Sequence, residues 1–271
     1  MSPSRCSRLP GRVLAALTAL GVVAAVTLCG GQPALAGWRP ASAQRLDIQL
    51  LAPFDLARPV DVLALPLFGT LPALPRELQR RGTATICYVM AGVWESWRPD
   101  AAQFPQPVVG RPRAGRADQR WLDIRKVSLH QVLERRVELC RERGFDGVLL
   151  DGLDGYADNS GFELTPAQQL TFNSWLADVA HAHGLAAGIM NALDQSVELA
   201  KSFDFLVADA CLDRGDCPEI RPFLAADKPV YLLAYTNIPR RMAQYCAVAE
   251  SIGSSLIFKT RYLNGKLHRR C

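Results

Sequence analysis

Residues 144–156 read GFDGVLLDGLDGY. The run Gly147-Val148-Leu149-Leu150 is apolar without alternation and has the length of a strand buried on both faces. It delivers Asp151, and then Asp154, into a glycine-rich turn. A carboxylate at the C-terminal end of a buried strand is where a parallel α/β barrel keeps its chemistry. Asp151 is therefore the first candidate catalytic group. A turn or helix-capping aspartate is the structural alternative.

Outward from this segment, short apolar runs alternate with helical patterns along the chain. Strands are predicted at Leu46–Leu51, Val60–Leu65, Ala84–Met90, Gly147–Asp151, Ala186–Met190, Phe205–Asp209, Val230–Tyr235 and Ser255–Lys259. Helices are predicted near Leu71–Arg81, Ser128–Arg143, Pro166–His183, Asp194–Ser202, Pro218–Ala226 and Pro239–Ile252. The helix at Pro166 carries the clearest signals. Thr165 with Gln168 forms a capping box, Pro166 occupies the first helical position, and Gly184 ends the helix. Repeated strand–helix units imply parallel strands joined by right-handed crossovers. Their number implies an α/β fold of the (β/α)8 TIM-barrel type in a single domain.

Residues 1–36 have the pattern of a secretory signal peptide. Arg5, Arg8 and Arg12 precede the apolar run Val13–Leu28, and Ala34-Leu35-Ala36 is a small-x-small cleavage site. The apolar run is short for a membrane span and has no basic stop-transfer flank. A lipoprotein reading of Cys29 is disfavoured by the bulky Leu28 before it. The expected organisation is thus a signal peptide at 1–36, a short lead at 37–45 and the barrel at 46–271. The mature chain is then secreted or periplasmic, with no membrane span; an uncleaved membrane anchor is the minor alternative. Removing 1–36 takes away three arginines and no acids, so the formal charge falls from +5 to +2. With no basic run interleaved with aromatics, a nucleic-acid partner is not expected.

Of eight cysteines, six lie beyond the leader, and an oxidising compartment favours pairing. Cys211 with Cys217 is the natural local pair, and Cys246 with Cys271 could tie down the tail. Cys87, in a strand, and Cys140, on a helix, read as free core thiols, although spacing alone does not fix connectivity.

Ala91–Lys126 is a long segment rich in Pro, Gly, Arg and Trp that directly follows a predicted strand. Long ordered loops in compact domains usually serve function. This one holds Trp94, Glu95, Trp97, Arg98, Trp121, Asp123 and Arg125. Such a set suits carbohydrate: rings stack on sugar faces, and charged groups hydrogen-bond hydroxyls. The alternative is a loop packed down by its own tryptophans. Three strand ends, with the turns after them, carry Asp151/Asp154, Asn191/Asp194 and Asp209. Asp151 and Asp209 come from different strands and could face each other across a barrel mouth, as glycoside hydrolysis requires of two carboxylates. His181 and His183 lie two apart on a helix and make a poor metal pair. There is no H-E-x-x-H, CxxC, G-x-S-x-G or phosphate-cradling glycine loop, so no metal or cofactor is expected. Arg214-Gly215-Asp216 is read as a polar turn rather than an adhesion motif.

Several segments together resemble glycoside hydrolase family 114, secreted barrel proteins that include endo-α-1,4-polygalactosaminidases. They are ICYVMAGVWESWRPD (86–100), FP (104–105), RWLDIR (120–125), GFDGV…D..DGY (144–156), LT..QQ..FN.WLAD.AHAHGL (164–185), FDF (203–205), Cys211…Cys217 and Cys246. The resemblance covers Val60 to the C-terminus. It implies an α-linked amino-sugar polysaccharide as substrate and a two-carboxylate mechanism, with Asp151 as nucleophile or base and Asp209 as general acid, the reverse assignment being the alternative. Tyr88, Trp94, Glu95, Arg98, Asp123, Asp154, Asn191 and Tyr235 would contact or position sugar. Where the family reads G-V-E-P-D-N-x-D-G-Y, this chain has Leu149, Leu150 and Gly152 in place of Glu, Pro and Asn. It has Met190-Asn191-Ala192 for Lys-Asn-Asp, and Asp209 for Glu. These substitutions give a second expectation, a catalytically impaired carbohydrate-binding relative.

Overall fold

The strand residues divide by parity. In the computed structural model, which describes residues 37–42, 44–235 and 241–271, Leu46, Val62, Ile86, Leu149, Phe205 and Ile257 form one buried cluster. Their immediate neighbours Leu63, Cys87, Leu150, Leu206 and Leu256 join a second cluster that takes in the helices. Two apolar faces per strand mean a sheet curled around its own interior and wrapped by helices, the plan of a TIM barrel.

The elements are β1 (Leu46–Ile48), β2 (Val62–Pro66), α1 (Leu74–Arg80), β3 (Ala84–Met90), β4 (Val93–Glu95), β5 (Val109–Arg113), β6 (Arg116–Leu122), α2 (His130–Glu142), β7 (Gly147–Asp151), α3 (Pro166–Ala182), β8 (Ala186–Met190), α4 (Ser196–Ser202), β9 (Phe205–Asp209), α5 (Cys211–Arg214), α6 (Arg221–Ala225), β10 (Val230–Tyr235), α7 (Met242–Ser251), β11 (Ser255–Lys259) and β12 (Arg269–Arg270). Eight strands run parallel in the order β1-β2-β3-β7-β8-β9-β10-β11, and β12 adds antiparallel to β11. The expected leader 1–36 and the start of the last predicted helix lie outside the described residues. Among those residues no helix is long and apolar enough to cross a membrane.

The sheet comes round on itself at β1 and β11 through side chains and β12. Lys259 Nζ lies 2.7 Å from Asp47 Oδ1, and Arg270 Nη2 donates to the Leu46 carbonyl at 2.9 Å. Arg58 Nη1 reaches Asp47 Oδ2 at 2.7 Å and His268 Nδ1 lies 3.0 Å from Oδ1. Burial alone pushes the Asp47 carboxyl up, but the bonds from His268 and Lys259 outweigh it and hold the group well below the usual carboxylate range. At the floor of the barrel the lead places Trp38 edge-on to Phe205, with ring centres 6.3 Å apart. Above them Gly188 makes room for Phe205: a Cβ there would lie 2.0 Å from the ring.

Two features differ from the sequence expectation. Ala91–Lys126 is not an irregular loop but carries a three-stranded antiparallel flap, β4-β6-β5. Cys87 and Cys140 are not free thiols; they form a disulfide between β3 and α2, with Cα atoms 5.8 Å apart. Cys87 faces outward by strand parity, and Cys140 shares the buried face of α2 with Val132, Leu133 and Val137. A separation of 53 residues hid the pairing. The other two bridges, Cys211–Cys217 and Cys246–Cys271, form as expected.

Candidate active site

Strand parity places Tyr88, Asp151, Asp209 and Tyr235 on the barrel's inward side, at or near the C-terminal ends of β3, β7, β9 and β10. Asp151 is half-buried and takes two donors: Tyr88 Oη at 2.6 Å on Oδ2 and the Gly152 N–H at 2.6 Å on Oδ1. Gly152 has a left-handed φ of 74°. That turn lets β4 pack on it, since a Cβ at Gly152 would come within 2.9 Å of Met90 and Val93. Asp209 receives a hydrogen bond from Tyr235, while its Oδ1 is buried with no hydrogen-bond partner. The backbone around Asp209 is fixed from both sides. Its N–H donates to Asn191 Oδ1 at 2.9 Å, and its carbonyl accepts from Arg214 Nη1 at 2.7 Å. Asn191, Ala192 and Ala210, immediately after β8 and β9, all take left-handed φ values of 61°, 53° and 56°.

The two carboxylates open on a common cleft of about 730 Å³, lined also by Pro66, Phe68, Tyr88, Glu95, Trp97, Arg98, Arg113, Asn191, Arg261 and Tyr262. Burial raises the Asp151 carboxyl, opposed by its bonds from Tyr88 and Gly152. Burial also pushes Asp209 up to about 6; the Tyr235 bond opposes this and the charge on Asp151 adds to it. Asp154 is pushed to about 6 by burial and by Asp151. A carboxylate holding two donors is suited to stay ionised. A carboxyl whose second oxygen is buried without a donor is suited to carry a proton. The two environments differ in the sense that acid–base chemistry needs.

The other residues singled out in the sequence fall into two groups. Glu95 is buried in an ion pair with Arg98 and accepts from Gln119 Nε2 at 3.1 Å. Both Glu95 and Arg98 line the cleft, and the Arg98 guanidinium sits 5.7 Å from the Phe68 and Trp97 ring centres. Asp154 lines an adjoining cavity of about 530 Å³ together with Asn191, Asp194 and Arg214. Trp94 and Asp123 lie elsewhere. Trp94 packs on the outer core and donates to the Ala101 carbonyl at 3.0 Å, and Asp123 is buried in a bidentate pair with Arg125 at 2.7 and 3.0 Å. Trp121 is buried too, so of the flap tryptophans it is Trp97, 47% exposed, that faces the cleft. Sequence reasoning passed over Arg113 and Arg261. Arg261 lies two residues beyond β11, a strand-end position that could have flagged it. Among the described residues no group of three or more His, Cys, Asp or Glu is arranged to hold a metal ion.

A curled sheet of eight parallel strands, with its acidic residues gathered at the C-terminal rim, is the architecture of barrel glycoside hydrolases. The chain belongs to glycoside-hydrolase family GH114, whose family profile matches residues 31–271. Among solved structures, Aspergillus fumigatus Ega3, crystallised in complex with galactosamine, is 28% identical, with a TM-score of 0.82 over 89% of this chain and 100% of that one. The glycoside hydrolase domain of PelA from Pseudomonas aeruginosa shares the fold at 17% identity, with a TM-score of 0.66 over 83% of this chain and 97% of that domain. No curated protein sequence matches the chain significantly.

Proposed function

We propose that this protein is an exported glycoside hydrolase that cleaves an α-linked amino-sugar polysaccharide of the polygalactosamine type. Asp209 is the general acid and Asp151 the nucleophile or base. The observation that carries the reading is the unequal treatment of two carboxyl groups on one cleft. Asp151 is held by Tyr88 and Gly152, whereas Asp209 is raised to about 6 with a bare, buried Oδ1. In the reaction Asp209 gives its proton to the glycosidic oxygen as the C–O bond breaks. Asp151 attacks the anomeric carbon or takes a proton from the water that does. Asn191 and Arg214 hold the Asp209 backbone in place, and Tyr88 and Tyr235 orient the two carboxyl groups. The likeness to Ega3 with galactosamine supports the substrate class. The leader at 1–36 supports export, and the secreted protein should begin at Gly37 on N-terminal sequencing.

The test is release of reducing ends from α-1,4-linked galactosamine/N-acetylgalactosamine polymers by residues 37–271. Asp151→Asn and Asp209→Asn should each lower kcat by about 10³-fold or more. Background release by wild type and both variants, with polymer binding retained, would establish instead the carbohydrate-binding relative that the family substitutions suggest. A gain of activity in Asp209→Glu would then trace the loss to the shorter side chain.

A further inference from the structure

Large apolar side chains exposed singly need no explanation, but their gathering at one cleft does. Among the described residues six are exposed, and three of them, Leu51, Trp97 and Tyr262, line the cleft that holds Asp151 and Asp209. Tyr262 is 70% exposed, although it lies only three residues beyond the buried end of β11. The turn that carries it is fixed from behind. The Leu263 N–H donates to the Thr260 carbonyl at 2.9 Å, and the Leu263 carbonyl accepts from the N–H groups of Leu50 and Leu51 at 2.6 and 3.3 Å. The Gly265 N–H donates to the Pro53 carbonyl at 2.9 Å, and the Gly265 carbonyl accepts from Arg58 Nη2 at 2.8 Å. Gly265 packs so closely on the loop after β1 that a Cβ there would lie 2.4 Å from the Asp55 nitrogen. Leu263 itself is left-handed, with φ 45°. A leucine keeps that conformation only where its surroundings impose it. All of this backbone order presents an aromatic ring to water.

Trp97, the other exposed ring of the cleft, belongs to the flap that follows β3. The Arg98 guanidinium lies 5.7 Å from its ring centre and is itself held by Glu95. In the order β3-β7-β8-β9-β10-β11, the strand of Asp151 stands next to the Trp97 side and the strand of Asp209 stands nearer the Tyr262 side. A chain laid from Trp97 to Tyr262 therefore passes both carboxyl groups. The flat C–H face of a sugar ring packs on an aromatic ring, and a platform already fixed by its backbone adds little ordering cost on binding. We propose that Tyr262, with Leu51 on the adjoining loop, is a sugar-stacking platform. It seats a unit of the polysaccharide away from the reacting pair and across the cleft from Trp97, so that the polymer is gripped on both sides of the bond that is cut. The proposal rests on the reading of the cleft as a sugar site.

Binding is measured with the Asp151→Asn protein, so that turnover plays no part. The probes are α-1,4-linked galactosamine polymer and free galactosamine. Adding Tyr262→Ala should weaken polymer binding by about tenfold and leave binding of the monomer, which does not span the cleft, unchanged. Tyr262→Phe keeps the ring and should bind polymer as the parent does. Trp97→Ala combined with Tyr262→Ala should weaken polymer binding by about a hundredfold, since the two sites are separate. Thermal unfolding of the Tyr262 variants should match the parent, because the side chain is exposed. Polymer binding unmoved by Tyr262→Ala overturns the proposal. So does equal weakening of monomer and polymer, or a phenylalanine variant as weak as the alanine one. None of these outcomes touches the hydrolase reading, which stands or falls on reducing-end release. Polymer binding that depends on Tyr262, without release by wild type, removes the hydrolase reading and leaves the platform intact. Failure of the parent to bind polymer overturns both.

Discussion

Asp209 carries the most consequential titration in the molecule. Its folded value of about 6 lies above that of an ordinary carboxyl, so the folded state keeps a proton that the unfolded chain releases. Stability therefore falls as pH rises from about 4 to about 6 and stays lowered above that. Asp209→Asn removes this cost, and thermal unfolding at pH 7.5 should show a gain on the order of 2 kcal/mol together with lost activity. A gain of the same size at pH 4 would refute the electrostatic cause. Activity that needs Asp209 protonated should decline as pH rises past about 6. Tyr235 lowers the Asp209 value by its hydrogen bond, so Tyr235→Phe should move the alkaline limb of the pH–rate profile upward. A downward move would sink this assignment.

At the scale of elements, Arg136 ties the flap to the barrel. It is 3% exposed, pairs with Asp100 at 2.7 and 2.9 Å, donates to the Met90 carbonyl at 2.7 Å and packs on the Phe68 and Phe104 rings. Arg136→Met leaves Asp100 without its partner and should cost about 3–5 kcal/mol in urea unfolding. Adding Asp100→Leu should restore a large part of it, and no recovery would mean that the rings rather than the charges hold the flap. In the barrel wall, β3, β7, β8, β9, β10 and β11 begin and end at the residues their apolar runs predict, because strands buried on both faces leave an uninterrupted signal. The flap was not legible. Its strand β5 reads VGRPR and β6 opens on the exposed run RAD, in which Arg, Pro and Gly mask the extended pairing. Asp151 and Asp209 were legible as strand-end carboxylates. Their tyrosine partners were legible only through the family resemblance, since Tyr88 and Tyr235 acquire meaning from a parity shared across four strands.

At the scale of the whole molecule, three disulfides among the described residues secure a barrel whose first and last parallel strands meet through the Asp47 cluster. Loop-closure entropy ranks the bridges by separation: 53 residues for Cys87–Cys140, 25 for Cys246–Cys271 and 6 for Cys211–Cys217. Replacing each pair by alanines should cost about 4, 3.5 and 2 kcal/mol in that order, and a reversed order in denaturant unfolding would point to local packing instead. The left-handed residues at the rim have a further consequence. Asn191, Ala192 and Ala210 hold a backbone conformation that glycine adopts freely and alanine at a cost of about 1 kcal/mol. A laboratory selection for heat resistance would therefore be drawn to Ala192→Gly and Ala210→Gly. Both changes loosen the turns that aim β8 and β9 at the substrate. A campaign that screens for heat alone would accept both changes in the mouth, whereas Asp227, left-handed at 56° at the opposite end of the barrel, offers similar relief that leaves the mouth intact.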